Sequence, residues 1–172
     1  MHREQDFTAS RADEPRYAKL AHHRNKAIAM LLVLSVLYLP AWATLGQPEA
    51  SVTSDQLHMK SEERVQTLQN YRVHELTTAE GTTVREYVSS QGSVFGITWH
   101  GRSAPDMNQL LGTYTNNLQT ATSAQTKIQR RRGITVRTGD FVYSNSCHLG
   151  RCAGSAYLPK LVPSNVTVEA MQ

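Results

Sequence analysis

The chain has 172 residues and a formal net charge of +4. Six of its 18 basic residues precede residue 44, so residues 44–172 carry 12 Lys and Arg against 10 Asp and Glu, a net of +2. That near-balance removes the case for specific nucleic-acid binding that a pI of about 9.2 suggests, and a mature chain of this length suits one domain with one core.

Residues 27–39, AIAMLLVLSVLYL, form an uncharged apolar run. Arg24 and Lys26 precede it, and Pro40-Ala41-Trp42-Ala43 follows. A basic flank, a short apolar run and a small-x-small site predict a secretory signal peptide cleaved after Ala43. The run falls short of the roughly 20 apolar residues of a comfortable span, although an uncleaved anchor is the alternative. The long polar stretch ahead of the run is unusual for a leader. No Cys follows the cleavage site, so a lipoprotein is not expected, and no twin arginine precedes the run. The chain is therefore expected in the periplasm or outside the cell, touching the membrane only in transit.

Residues 44–70 are mostly polar and predict a loose segment with short helical turns. The runs YRVHELT, TTVREYVS and SVFGITWHG then predict three strands of a β-meander, with Gly81 and Gly92 in its turns. A three-residue loop with glycine in the left-handed position pairs Leu76 with Val84, Glu75 with Arg85 and His74 with Glu86. A two-residue loop would set Glu75 against Glu86, a like-charge clash. The same loop type in the second hairpin predicts Val88 opposite Val94, Tyr87 opposite Phe95 and Arg85 opposite Ile97. Alternation then gives one core face with Tyr71, Val73, Tyr87, Phe95, Ile97 and Trp99, shared by Glu75 and Arg85. The other face carries Arg72, His74, Glu86 and Thr98, with Leu76, Val84 and Val88 among them.

Ser103, Pro105 and Asp106 read as a helix start. Met107, Leu110, Leu111, Tyr114 and Leu118 follow at helical spacing and predict a helix across the aromatic face. Arg130, Arg131 and Arg132 read as a solvated loop, with a polyanion site as the alternative. A strand is expected over residues 134–137. The two cysteines, Cys147 and Cys152, enclose His-Leu-Gly-Arg between two strand-like runs, which suggests a hairpin with a four-residue loop. In an exported chain a disulfide is the favoured state. A metal site would use Cys147, His148 and Cys152 but lacks a second knuckle, and redox or haem chemistry would need C-x-x-C or C-x-x-C-H. Pro159 and Pro163 end the last strand. The class is α+β: an antiparallel meander plus a C-terminal hairpin against one principal amphipathic helix, with the domain at residues 71–160 and a tail at 161–172.

The stretch GTTVREYVSSQGSVFGITWHGRSAPDMNQLLGTY resembles a family of exported bacterial proteins known as domain of unknown function 2844. The resemblance is carried by Val84-Arg85-Glu86-Tyr87-Val88, Gly92-x-Val94-Phe95, Trp99-x-Gly101, Pro105-Asp106 and Leu110-Leu111-Gly112. It extends to the leader, the arginine run and Ala156-Tyr157-Leu158-Pro159. It implies export and a small globular domain, and assigns no activity. It also implies that the Cys pair is a local staple, since the family's usual members lack it.

Three groups of residues invite a functional reading. Glu75 and Arg85 would form a polar pocket with Trp99 as its wall, or a structural cross-strand ion pair. His74 and Glu86 would make an acid–base couple, or a solvated pair. Trp99 and His100 end a strand ahead of a loop, where binding residues collect, or Trp99 simply fills the core. No nucleophile elbow, zinc-protease motif or phosphate loop is present, so no catalytic residue, metal or cofactor is assigned. The expectation is a non-catalytic binding domain for an unknown protein or envelope component. The alternative is a small hydrolase or ligand carrier using Glu75 with Arg85 or His74 with Glu86.

Overall fold

A computed structural model describes residues 44–123 and 133–171. The leader and the Arg130, Arg131, Arg132 run lie outside the described residues. The chain runs α1 (Ala50–Met59), β1 (Glu62–Thr67), β2 (Tyr71–Thr77), β3 (Thr83–Ser89), β4 (Val94–Gly101), α2 (Met107–Leu111), a 3-10 turn (Gly112–Tyr114) and α3 (Thr115–Ser123). It continues through β5 (Ile134–Arg137), β6 (Val142–His148), β7 (Arg151–Tyr157) and a second 3-10 turn (Val168–Met171). The strands form one antiparallel sheet in the order β1-β2-β3-β4-β7-β6-β5. The expected α+β class, with its meander, C-terminal hairpin and principal helix, is the one observed.

The first hairpin has the register that its charges dictate: Leu76 faces Val84, Glu75 faces Arg85 and His74 faces Glu86. Its loop is closed by the Thr78 N–H donating to the Thr82 carbonyl at 2.9 Å, with Gly81 at φ +81°. The second hairpin begins as expected, Val88 facing Val94, and then slips. A bulge leaves Phe95 unpaired, so Tyr87 faces Gly96, Arg85 faces Thr98 and Glu86 faces Ile97.

That slip corrects the assignment of faces. Ile97 and Trp99 do not share a face with Tyr87 and Phe95. They join Leu76, Val84 and Val88 in the larger core, with Leu45, Val52, Leu110, Leu111, Phe141 and Tyr143. The principal helix packs on that face and not on the aromatic one, with Met107, Tyr114 and Leu118 alongside it. Its cap is also displaced from Ser103: the Asp106 side chain accepts the Asn108 N–H at 2.9 Å. Gly112 then breaks the helix into α2 and α3, a 3-10 turn lying between them.

The aromatic face forms a second core of Val73, Tyr87, Phe95 and Met171, with Tyr71 beside them. The Tyr71 and Phe95 rings meet edge to face at 6.0 Å. The segment expected as a tail covers this face through Val162, Val166, Val168 and Met171, and the Tyr87 hydroxyl donates to the Met171 carbonyl at 3.0 Å. The segment expected to be loose at 44–70 is likewise built in. It supplies α1 and the edge strand β1, and its start is tied to β4 by the Gly46 N–H to the Val94 carbonyl at 2.8 Å and the Val94 N–H to the Gln47 carbonyl at 2.9 Å.

At the other end of the sheet Trp99 faces Gly154 across β4 and β7, and its Nε1–H donates to Asn145 Oδ1 at 3.2 Å. A Cβ at position 154 would lie 2.3 Å from Trp99 Cζ2 and 2.4 Å from the Ser144 carbonyl oxygen. Glycine is therefore the residue that lets the indole lie flat on the sheet. Gly154→Ala is expected to cost about 1–3 kcal/mol, the usual penalty of overpacking. A lowered thermal midpoint with a changed tryptophan spectrum checks it; an unchanged midpoint would contradict this packing.

Candidate functional site

The cross-strand pairs read from the sequence lie on opposite faces of β2 and β3. Glu75 and Arg85 lie on the aromatic side, joined by Arg85 Nε–H donating to Glu75 Oε2 at 2.7 Å. Tyr71 and Tyr87 line the same shallow hollow of about 260 Å³. Trp99 is not its wall. Trp99 and Arg85 contribute to a separate hollow of about 360 Å³, while the indole belongs to the helix-side core.

His74 and Glu86 face each other on the helix side, and neither is solvated. His74 is 8% exposed, and two carboxylates take both its ring nitrogens. Glu63 Oε1 lies 2.6 Å from Nδ1, and Glu49 Oε1 lies 2.9 Å from Nε2. Glu49 stands at the N-cap of α1 and also receives a two-pronged contact from Arg72, through Nε at 2.7 Å and Nη2. The Arg72 hydrogen bonds hold the Glu49 carboxyl below its ordinary value, against the opposing effect of partial burial. With both nitrogens occupied, the imidazole has no free position from which to serve a substrate.

Glu86 is completely buried, at 0% exposure, and neither of its oxygens has a hydrogen-bond donor. It sits beneath α1, whose Asp55 is also buried, with Oδ2 lacking a donor and Oδ1 accepting from Gln109 Nε2. Two carboxylates cannot hydrogen-bond each other, whereas a carboxylic acid and a carboxylate can. A proton held between them gives a partner to Asp55 Oδ2 and to one Glu86 oxygen. Burial, with Asp55 and then Glu63 adding repulsion, pushes the Glu86 carboxyl well above its ordinary value. Burial likewise pushes Asp55 up to about 6, against the hydrogen bonds from Gln109 and Glu86. The site is thus a buried acid pair beside a surface-reaching Glu49–Arg72–His74–Glu63 network.

Sequence patterning missed Glu49, Asp55, Glu63 and Gln109. One signal was available: Asp55 follows Val52 by three residues, on the buried stripe of α1. Among the described residues no three or more His, Cys, Asp or Glu are grouped to hold a metal ion. The cysteines are bonded to each other, Cα atoms 4.0 Å apart, which removes both sulfurs as metal ligands. The hairpin that carries them is tighter than expected. Cys147 faces Cys152, His148 faces Arg151, and only Leu149 and Gly150 form the loop.

A hollow of about 850 Å³ opens at that hairpin. His100, Arg102, His148, Leu149 and Arg151 line it, and no Asp or Glu does. His100 and the cysteine hairpin stand apart in the sequence. The pairing of Gly101 with Cys152 brings them together.

An open antiparallel sheet, covered by helices on one face and by a C-terminal segment on the other, defines a small α+β domain with a sealed polar cluster. The chain belongs to the family described as protein of unknown function (DUF2844), whose model matches residues 41–171. No curated protein and no solved structure matches it.

The acid pair sets an unusual pH response. For Asp55 and Glu86 the folded protein retains a proton that the unfolded chain releases above the ordinary values of 3.8 and 4.5. Folding stability therefore rises as pH falls from neutrality through the raised folded values, and levels off near the ordinary ones. Glu49 acts in the opposite sense, its contribution being lost as pH falls below 4.5 through its lowered folded value. Glu86→Gln supplies a neutral donor to Asp55. It is expected to stabilise the protein at neutral pH by about 1–2 kcal/mol and to flatten the acid-side gain. Thermal melts across pH check both, and a wild-type midpoint that falls steadily from neutrality would refute the assignment.

Proposed function

We propose that the chain is an exported, non-catalytic binding domain for an envelope component or a protein partner. The observation that carries this is the contrast between its two polar regions. The groups with acid–base potential, His74, Glu86 and Asp55, are occupied or sealed under α1. The basic groups Arg102 and Arg151 are exposed around an open hollow of about 850 Å³, within the size range of ligand sites. Export is supported by the pattern of residues 1–43 and by the Cys147–Cys152 disulfide, a bond that persists in oxidising compartments. Among the described residues no helix is long and apolar enough to cross a membrane.

A small hydrolase or carrier is the competing proposal. It would have to work at the Glu75–Arg85 hollow, whose roughly 260 Å³ lies below the usual range for ligand sites.

A native mass spectrum of the protein from its own host's envelope is the test. The expected mass is that of residues 44–172 less two hydrogens, with an added component that is lost when Arg102 and Arg151 are both replaced by Ser. A retained leader with free thiols would overturn export. Turnover of an ester, phosphoester or glycoside that Glu75→Gln abolishes would overturn the non-catalytic assignment.

A further inference from the structure

We infer that the tip of the β6–β7 hairpin docks on an anionic phospholipid surface, Leu149 entering the interface and Arg102 and Arg151 meeting headgroup phosphates. This rests on the binding-domain proposal and names its partner.

Leu149 is the starting point. It is 90% exposed, more than Leu57, Val65, Leu68 or Leu161. It also holds a φ of +47°, a left-handed backbone that bulky L residues avoid. A two-residue hairpin loop with positive φ at both positions prefers Asn or Asp ahead of Gly. Leu149-Gly150 has the glycine, at φ +73°, and lacks the favoured first residue. The leucine is thus unfavourable for the turn and unfavourable in water. Such an outlier points to a demand from outside the fold.

The tip is held rigid. Cys147 and Cys152 are bonded across the strands, and His148 and Arg151 form the last pair before the loop. A preorganised tip loses little freedom when it docks.

The collar matches an anionic surface. Arg151 comes from β7, and Arg102 arrives from the neighbouring β4 because Gly101 pairs with Cys152. Both arginines are exposed, and neither has an ion pair among the described residues. His100 and His148 complete the lining, which holds no acidic group. An apolar tip ringed by basic side chains is the arrangement that lies at a headgroup boundary. A free anion would leave Leu149 in water, and a single-stranded nucleic acid would favour Phe, Tyr or Trp stacking platforms, none of which lines the hollow.

Sedimentation with phosphatidylcholine vesicles, with or without added phosphatidylglycerol, tests the inference on the disulfide-bonded chain. Binding is expected only where phosphatidylglycerol is present, and should weaken with salt. Replacing Arg102 and Arg151 together by Ser is expected to weaken it about thirty-fold. Leu149→Asn is expected to weaken it about tenfold. Because asparagine suits the turn, the Leu149→Asn melting point should be unchanged or higher, which separates docking from folding. Equal binding to both kinds of vesicle, or binding indifferent to all three residues, would overturn the inference. So would an absence of vesicle binding. If the envelope-purified protein then still carries a component that depends on Arg102 and Arg151, the binding-domain proposal survives; if it carries none, both fall.

Discussion

One extra residue in β4 decides what each face of the sheet has to bury. Phe95 is left unpaired by the bulge, so the alternation of side chains restarts after it. Without the bulge, Phe95, Ile97 and Trp99 would all point the same way, leaving only Leu76, Val84 and Val88 as the apolar part of the other face. With it, Phe95 joins Tyr71 and Tyr87 while Ile97 and Trp99 join the valines of β3. The helix-side face thereby gains its two largest strand side chains, and the opposite face keeps a smaller aromatic core. The principal helix and α1 answer one face, and residues 162–171 answer the other.

The same division explains the buried acids. His74 and Glu86 lie on the face that α1 must cover, so covering it takes two ionisable side chains out of water. The chain meets that cost in two ways. Near the edge it surrounds His74 with Glu49 and Glu63 and ties Glu49 to Arg72. Deeper in, burial favours a proton on the Asp55–Glu86 pair. A buried acid pair gives less stability than packed apolar groups would. The cluster thus lies between α1 and the sheet, away from the exposed hairpin end.

The first hairpin was legible because only one loop length avoids setting Glu75 against Glu86. The second was legible only as far as Val88 and Val94. Val94, Phe95 and Ile97 are apolar at adjoining positions, so no polar residue reports where alternation restarts. Strand β1, EERVQT, is exposed along its whole length and is a strand through its pairing with β2 rather than through its own pattern. Residues 161–171 contain Pro163 and little periodicity, yet their valines cover a core because a complementary face exists for them. Asp55 and Glu86 were unreadable as a pair, since charged types announce a surface and only the packed α1 contradicts that. The hairpin tip was half legible: the disulfide followed from spacing and the expected export, whereas the strain at Leu149 required the turn itself.

The cover over the aromatic face has a consequence for synthesis. Tyr71, Tyr87 and Phe95 belong to strands made early, but Met171, which packs on them, lies about eighty residues further along. No intermediate length of nascent chain can complete that core. From the time the meander pairs until the last valines emerge, three aromatic rings stand open on a half-finished sheet. A chain in that condition is prone to aggregate and offers an apolar target to holding chaperones. That core is therefore complete only once the short valine-rich segment at residues 162–171 is in place.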